Sequence, residues 1–248
     1  MRHSVLIPLP SLDFDPTEVA VPWRVLTDAG YDVVFATEDG APGSCDPLVL
    51  VGPLFGLLGA LPENVALYEA MTADPAFAAP RRWQDLRVED FAGLVLPGGH
   101  AKGMRQYLEA SALHALVAEF FAADKPVGAI CHGPVVLARS LAADGRSVVA
   151  GRTLTALTRP LEQIAWMLTA WKLGDYYRTY PTWVEAELRA AVGEDGTFVR
   201  GPLLARYAAP FVVRDGNLLT ARWPGDAQGF AEAFAALLGE RAQGATAA

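Results

Sequence analysis

Cysteine and histidine are scarce: the chain of 248 residues holds 2 of the first and 4 of the second. The two cysteines, Cys45 and Cys131, lie far apart in unlike surroundings. That excludes a disulfide framework and fits a reducing, cytoplasmic compartment. No Cys/His cluster has zinc spacing, so no metal is expected. Neither a GxGxxG nor a phosphate loop is present, and no cofactor is expected. Lys/Arg runs are missing as well: 20 basic residues face 28 acidic ones for a net charge of -8. Such a balance offers no electrostatic footprint for a phosphate backbone and argues against nucleic acid as a partner. Long apolar runs are also absent. The longest uncharged stretch, PLVLVGPLFGLLGALP (47–62), is broken by Gly52, Pro53, Gly56 and Gly59 and is shorter than the roughly 18 residues of a membrane span. It reads as a buried loop and connector. The N-terminal MRHSVLIPLPSLDFD has a short, proline-broken apolar run ended by Asp13, unlike a secretory signal.

What is present is enough apolar sequence, 52% of the chain, for one sizeable core. The reading is a single α/β domain over 1–240 with a frayed, low-complexity tail at 241–248. HSVLIPLP (3–10) reads as a buried strand, PTEVAVPWRVLTDAG (16–30) as a helix stopped by Gly30, and YDVVFATEDG (31–40) as a second strand. Strand, helix and strand within about forty residues is the unit of a parallel sheet, because parallel neighbours need a crossover. The pattern returns with strand 93–99, helix 112–124, strand 125–131 and helix 133–143. A hairpin at 210–222 turns at Asp215-Gly216 and precedes a helix at 226–240. The sum is a doubly wound, mostly parallel sheet with helices on both faces and a C-terminal antiparallel hairpin.

Cys131 then stands at the end of a central strand and the entry to a helix, where open α/β sheets bind ligands. A nucleophile on such an elbow needs small residues two before and two after it, and Ala129 and Gly133 fill those positions. N–H groups at the helix start are expected to lower the thiol pKa. The bland reading of Cys131 is a small buried hydrophobe. For Cys45, in PGSCDP, that bland reading is preferred. Gly98 and Gly99 end a strand; they are either turn residues or a site where exposed N–H groups face an oxyanion.

AICHGP (129–134) resembles the nucleophile elbow of the ThiJ/PfpI superfamily, and LVLPGGH (94–100) resembles its oxyanion-hole strand end. DGNLLTARWPGDA (215–227) is similar to its closing hairpin and last helix. Within that superfamily the chain looks like the branch of glutathione-independent glyoxalases (glyoxalase III) and stress chaperones. The resemblance implies a flavodoxin-like fold, a homodimer, and catalytic roles for Cys131, His132, Glu18 and Glu162. Glu18, in DPTEVAVPW (15–23), matches the helix that sets a glutamate against the cysteine. Glu162, in TLTALTRPLEQ (153–163), matches the acidic third member of a triad. Gly98, Gly99 and His132 match the oxyanion site. Some chaperone relatives carry a metal near the glutamate helix, where Asp15 stands here. Class I glutamine amidotransferases share the elbow but recruit a downstream His-x-Glu. None of His3, His100, His114 and His132 follows the elbow, so that chemistry is excluded.

Structural readings stand beside these roles. Glu18 is either a solvated acid in a first helical turn or a carboxyl whose pKa is raised against a thiolate. His132 is either a core histidine or a partner of the thiol, and Glu162 either starts a helix or orients the imidazole. Arg159-Pro160 and the aromatic run AWMLTAWKLGDYYRTYPTW (165–183) depart from the glyoxalase pattern; the aromatics are either pocket walls or core and dimer interface. The expected activity is on a small carbonyl substrate, a 2-oxoaldehyde such as methylglyoxal, through a hemithioacetal on Cys131. The rivals are an amidase or peptidase, a lyase or hydratase of a larger substrate, and a holdase or thiol sensor.

Overall fold

The computed structural model describes residues 3–54, 58–202 and 209–247. The chain opens with β1 (Ser4–Pro8), α1 (Pro16–Asp28) and β2 (Asp32–Thr37). Asp15 caps α1, its Oδ1 accepting from the N–H groups of Thr17 and Glu18, and Pro16 follows in the first helical turn. Three short helices follow, α2 (Pro47–Val51), α3 (Pro62–Thr72) and α4 (Pro75–Ala78), and then the edge strand β3 (Arg81–Arg82). The segment read as a buried loop at 47–62 is thus partly helical. Its apolar residues are not all buried: Val51 is 69% exposed and Leu61 52%. Phe55, Gly56 and Leu57 lie outside the described residues.

The second half of the sheet comprises β4 (Phe91–Leu96), α5 (Arg105–Leu108), α6 (Ser111–Ala122), β5 (Val127–Ile130) and α7 (Pro134–Arg139). An excursion follows: β6 (Thr153–Leu154), α8 (Arg159–Leu173), α9 (Val184–Val192) and β7 (Thr197–Phe198), in which β6 and β7 pair as a small parallel sheet. The hairpin of β8 (Val212–Asp215) and β9 (Leu218–Ala221), turning through Gly216, and α10 (Ala227–Ala247) complete the chain. Residues 241–247, read above as a tail, continue α10, and Ala248 lies outside the described residues.

The main sheet has seven strands in the order β3-β2-β1-β4-β5-β9-β8, parallel except for β8 against β9. This is the expected doubly wound fold with its antiparallel addition. The order reverses between β1 and β4, and the C-terminal ends of β1, β4 and β5 meet at that switch point. Val5, Leu6, Leu94, Val95, Val127 and Ile130 are wholly buried there, so the strands form a rigid floor.

The aromatic stretch divides in two. Trp171 is 69% exposed on the outer face of α8, beside Ile164, Met167 and Leu168, whereas Tyr177 is buried and Trp166 and Trp183 are half-buried. No helix among the described residues is long and apolar enough to cross a membrane.

Candidate active site

Cys131 leaves β5 with φ of +60°, a left-handed backbone that a non-glycine residue rarely adopts. Three hydrogen bonds hold it there: its N–H donates to Ala221 O (3.1 Å), its carbonyl accepts from Leu157 N (3.1 Å), and Gly133 N donates to Ile130 O (2.8 Å). Gly133 sits so close to β4 that a Cβ on it would lie 2.1 Å from Leu96 O. The small residue required by the elbow is therefore a matter of close approach.

Glu18 comes from the first turn of α1 and is wholly buried. Its Oε2 accepts from Gly98 N at 2.9 Å, while Gly98 O accepts from Asp15 N at 2.9 Å. Gly98 thereby clamps the cap and the acid of α1 onto the end of β4. A Cβ on Gly98 would lie 2.8 Å from both Glu18 Oε2 and Cys131 Cβ and 2.6 Å from His132 N. The Glu18 carboxyl thus lies against the Cys131 side chain, with which it shares a hydrogen bond. Burial and the nearby Asp15 push the Glu18 carboxyl well above the ordinary carboxylate range. Asp15 itself is raised to about 6, chiefly by burial.

The expected depression of the thiol pKa is not what this environment produces. Burial first, then Glu18 and Asp15, push the Cys131 thiol up, and the His132 backbone N–H opposes them with a smaller effect. Both shifts favour the protonated forms of thiol and carboxyl. The Gly98 assignment also changes, because its N–H is spent on Glu18. Of the other two expected donors, the His132 N–H lies against the Cys131 sulfur.

His132 is wholly buried, and its Nδ1 lies 3.6 Å from Cys131 Sγ. Its tautomer follows from one hydroxyl. Thr179 Oγ1 donates its only proton to His100 O (2.6 Å), so toward His132 Nε2 (3.3 Å) it acts as acceptor. His132 Nε2 therefore carries the hydrogen, and the bare Nδ1 faces the thiol. Burial, with His100 and Arg139 nearby, keeps this imidazole neutral.

Glu162 stands in the same cluster but does not bond the imidazole as a triad acid would. Its Oε2 accepts from Val184 N (3.0 Å), and its Oε1 lies 3.7 Å from Arg178 Nη1. Burial lifts its carboxyl to about 7. Because the folded chain then holds a proton that an unfolded carboxylate releases near the ordinary value, this group costs the protein stability as pH rises through that interval. Glu162→Gln has no proton to lose. Its stability relative to the parent is expected to improve by roughly 2 kcal/mol between about pH 5 and about pH 8, measured by urea unfolding at both values.

His100, His132 and Glu162 bring possible ligand atoms within 4.8 Å of one another. Three observations disfavour a cation there. Both His132 nitrogens face other groups, Glu162 Oε2 is engaged with Val184, and Arg178 sits close enough to help hold His100 at about 4, well below the usual histidine value. The same positive charge repels a metal ion.

Thr179 and Arg178 escaped the sequence reading, in which Tyr177 stood only among the aromatic residues of 165–183 and His100 closed LVLPGGH without a role. His100 packs edge-on against His132 (ring centroids 4.8 Å) and Tyr177 (5.9 Å). The sequence signal for Thr179 and Arg178 was membership of the unusual 165–183 stretch. Cys45 is buried with its thiol pushed up to about 11, mainly by burial, consistent with a packing role.

A family model described as ThiJ/PfpI family-like matches residues 9–202 of this sequence. The chain belongs to that family. Among the curated proteins to which the chain is similar, the glutathione-independent glyoxalase hsp3101 of Schizosaccharomyces pombe is 28% identical over 145 residues, 56% of each chain. The pyridoxal 5'-phosphate synthase subunit PdxT of Bacillus cereus is 28% identical over 178 residues, 70% of this chain and 81% of that one. The matches to the first curated relatives span about half their length, between 37% and 56%. The crystal structure of glyoxalase III from Candida albicans superposes with a TM-score of 0.70 at 22% identity, covering 95% of this chain and 97% of that one. That likeness supports the fold.

Proposed function

We propose that this ThiJ/PfpI protein is a cofactor-free, cysteine-dependent enzyme of the glyoxalase III type. Its reaction adds water to a small 2-oxoaldehyde such as methylglyoxal to give a 2-hydroxy acid. The observation that carries the reading is the left-handed Cys131 backbone, which sets the sulfur between His132 Nδ1 and the Glu18 carboxyl. The family relationship and the glyoxalase name of the hsp3101 relative support it.

From the protonated thiol and carboxyl, reaction begins when a carbonyl arrives. Sγ forms a bond to the aldehyde carbon as the thiol proton passes to His132 Nδ1, and the carbonyl π pair moves onto oxygen. That oxygen, beside the His132 N–H, takes the Glu18 proton, giving a hemithioacetal and a Glu18 carboxylate. Glu18 then removes the hydrogen from the former aldehyde carbon. The electron pair forms the carbon–carbon double bond, and the ketone oxygen receives the proton held by His132. Return of the Glu18 proton to the second carbon, with loss of the first hydroxyl proton to His132, leaves a thioester. Water attacks it, giving a proton to Glu18; the thiolate leaves and is reprotonated by His132. Every group ends as it began, and no external oxidant is used.

The proton moves through a carboxyl and not as hydride, which isotopes test. Turnover of methylglyoxal in D2O is expected to place deuterium at C2 of a substantial fraction of the 2-hydroxy acid, read by NMR. Complete retention of the substrate hydrogen at C2 would overturn the enediol route. A thiol sensor calls for an exposed cysteine of low pKa, and Cys131, 4% exposed with its thiol pushed up, is the opposite.

A further inference from the structure

Beside the Cys131 centre lies a group of hydrogen-bond donors without acceptors. Trp166 Nε1 and Arg178 Nη1 are buried and have no hydrogen-bond partner, and neither has His100 Nε2; the Tyr177 hydroxyl faces the Asp46 carboxylate. Indole and guanidinium nitrogens can only donate, so what they lack is an acceptor. Leaving such donors buried and unpaired is costly, more so for a charged one. Arg178 is also held in place: its Nη2 donates to Pro181 O (2.6 Å), and its guanidinium stacks 3.7 Å from the Trp183 ring centroid and lies 5.9 Å from that of Trp166. Its Nη1 therefore points where the fold puts it, toward Glu162 Oε1, which at 3.7 Å is beyond hydrogen-bond reach.

Charge gives a second, independent indication. The chain is acidic, with net charge -8, yet arginines gather around residues 178–183. Arg105 donates its Nε to Thr179 O, next to the hydroxyl that bonds His132, and Arg159 lies 5.8 Å from the Trp183 ring. Among the described residues no carboxylate is within ion-pair distance of Arg105 or Arg159. The acids nearby have other partners: Glu187 binds Arg139, and Glu185 binds Arg189 and Arg200. Glu162 is left as the one acid facing Arg178. Arg178, with Arg105 and Arg159 close by, therefore presents positive charge on this side of the centre, while Asp46 and Asp15 lie on the Tyr177 side; a cationic wall of this kind concentrates anions.

We propose that the substrate is a 2-oxoaldehyde bearing a carboxylate, which seats on Arg178 Nη1 beside Trp166 Nε1 while its carbonyl carbon meets Cys131. This deepens the reading of Cys131 as a carbonyl nucleophile and rests on it. His132 and Glu162 intervene between the sulfur and Arg178, so the acid group lies several bonds from the reacting carbon. A fixed guanidinium with a free edge is suited to a planar carboxylate. Methylglyoxal, which has no charge, would then be accepted without being the preferred member of its class.

The test compares 4,5-dioxopentanoate with 2-oxopentanal, 2-oxoaldehydes of equal chain length that differ in the carboxylate. The parent protein is expected to show a kcat/KM at least about tenfold higher for the acid, and in Arg178→Gln the acid-to-neutral ratio is expected to fall about tenfold, mainly through KM. The ratio cancels any general loss of activity or fold, and Arg178→Lys, which keeps the charge, should restore part of it. A reaction-free arm uses succinate binding to Cys131→Ala by calorimetry, with and without Arg178→Gln. Binding weakened about tenfold or more by the second substitution supports the anion site even if neither aldehyde turns over, in which case only the reaction reading fails. A ratio near one in the parent, or succinate binding indifferent to Arg178→Gln, overturns the proposal.

Discussion

Glu18→Gln is expected to reduce methylglyoxal turnover by about a thousandfold or more while leaving stability within about 1 kcal/mol of the parent. The two effects separate because the buried carboxyl has two jobs. Its Oε2 accepts from Gly98 N, and a glutamine oxygen can accept the same bond. Its protonation chemistry, set by burial and by Asp15, has no amide equivalent. An amide can neither protonate the carbonyl oxygen nor carry hydrogen from one carbon to the next. Removing an ionisable group from a dry site beside Asp15 also relieves a like-charge penalty, which offsets small packing losses. Steady-state kinetics and urea unfolding on the same preparation check this. A glutamine variant within tenfold of the parent rate would mean that Glu18 is a structural acid.

The second large effect concerns stability. Gly133→Ala is expected to destabilise the fold by about 3 kcal/mol or more. Gly133 has φ of -50°, a conformation any residue adopts, so the penalty is steric and not conformational. The added Cβ would lie 2.1 Å from Leu96 O and 3.0 Å from Ile130 O. Both are backbone atoms at the ends of paired central strands, so no rotamer change relieves the clash. Relief requires moving α7 off the ends of β4 and β5, which shifts Cys131 as well. Denaturant unfolding should show the loss, and residual activity should fall with it. A change below 1 kcal/mol would show that the elbow has room the geometry denies it.

Gly133 also illustrates what the sequence made legible. Small residues around Cys131 announced an elbow, and the alternation of apolar runs with helix signals announced a parallel sheet; both are local patterns. The β4 end near Gly98 was visible for the same reason. What Gly98 does was not, because its N–H partner, Glu18, is 80 residues away in the chain. The direction of the thiol pKa was missed through burial: helix-start N–H groups can be read from sequence, but the depth at which Glu18 and Asp15 press on the sulfur cannot. Thr179 and Arg178 had no motif to mark them. They enter the site because α8 and the turns after it fold back over the strand ends, and the same fold-back splits the aromatic stretch into an inner wall and an exposed outer face. Glu162 was found by its position, yet its bonds go to Val184 and Arg178, since the Thr179 hydroxyl already occupies His132 Nε2.

The central claim, that Cys131 is the nucleophile of a cofactor-free conversion, is tested most directly by one comparison. Purified parent protein and Cys131→Ala are given methylglyoxal without glutathione, and formation of the 2-hydroxy acid is followed over time. The account predicts product from the parent and none above the uncatalysed background from the variant. Consumption of methylglyoxal by Cys131→Ala at the parent's rate would contradict it.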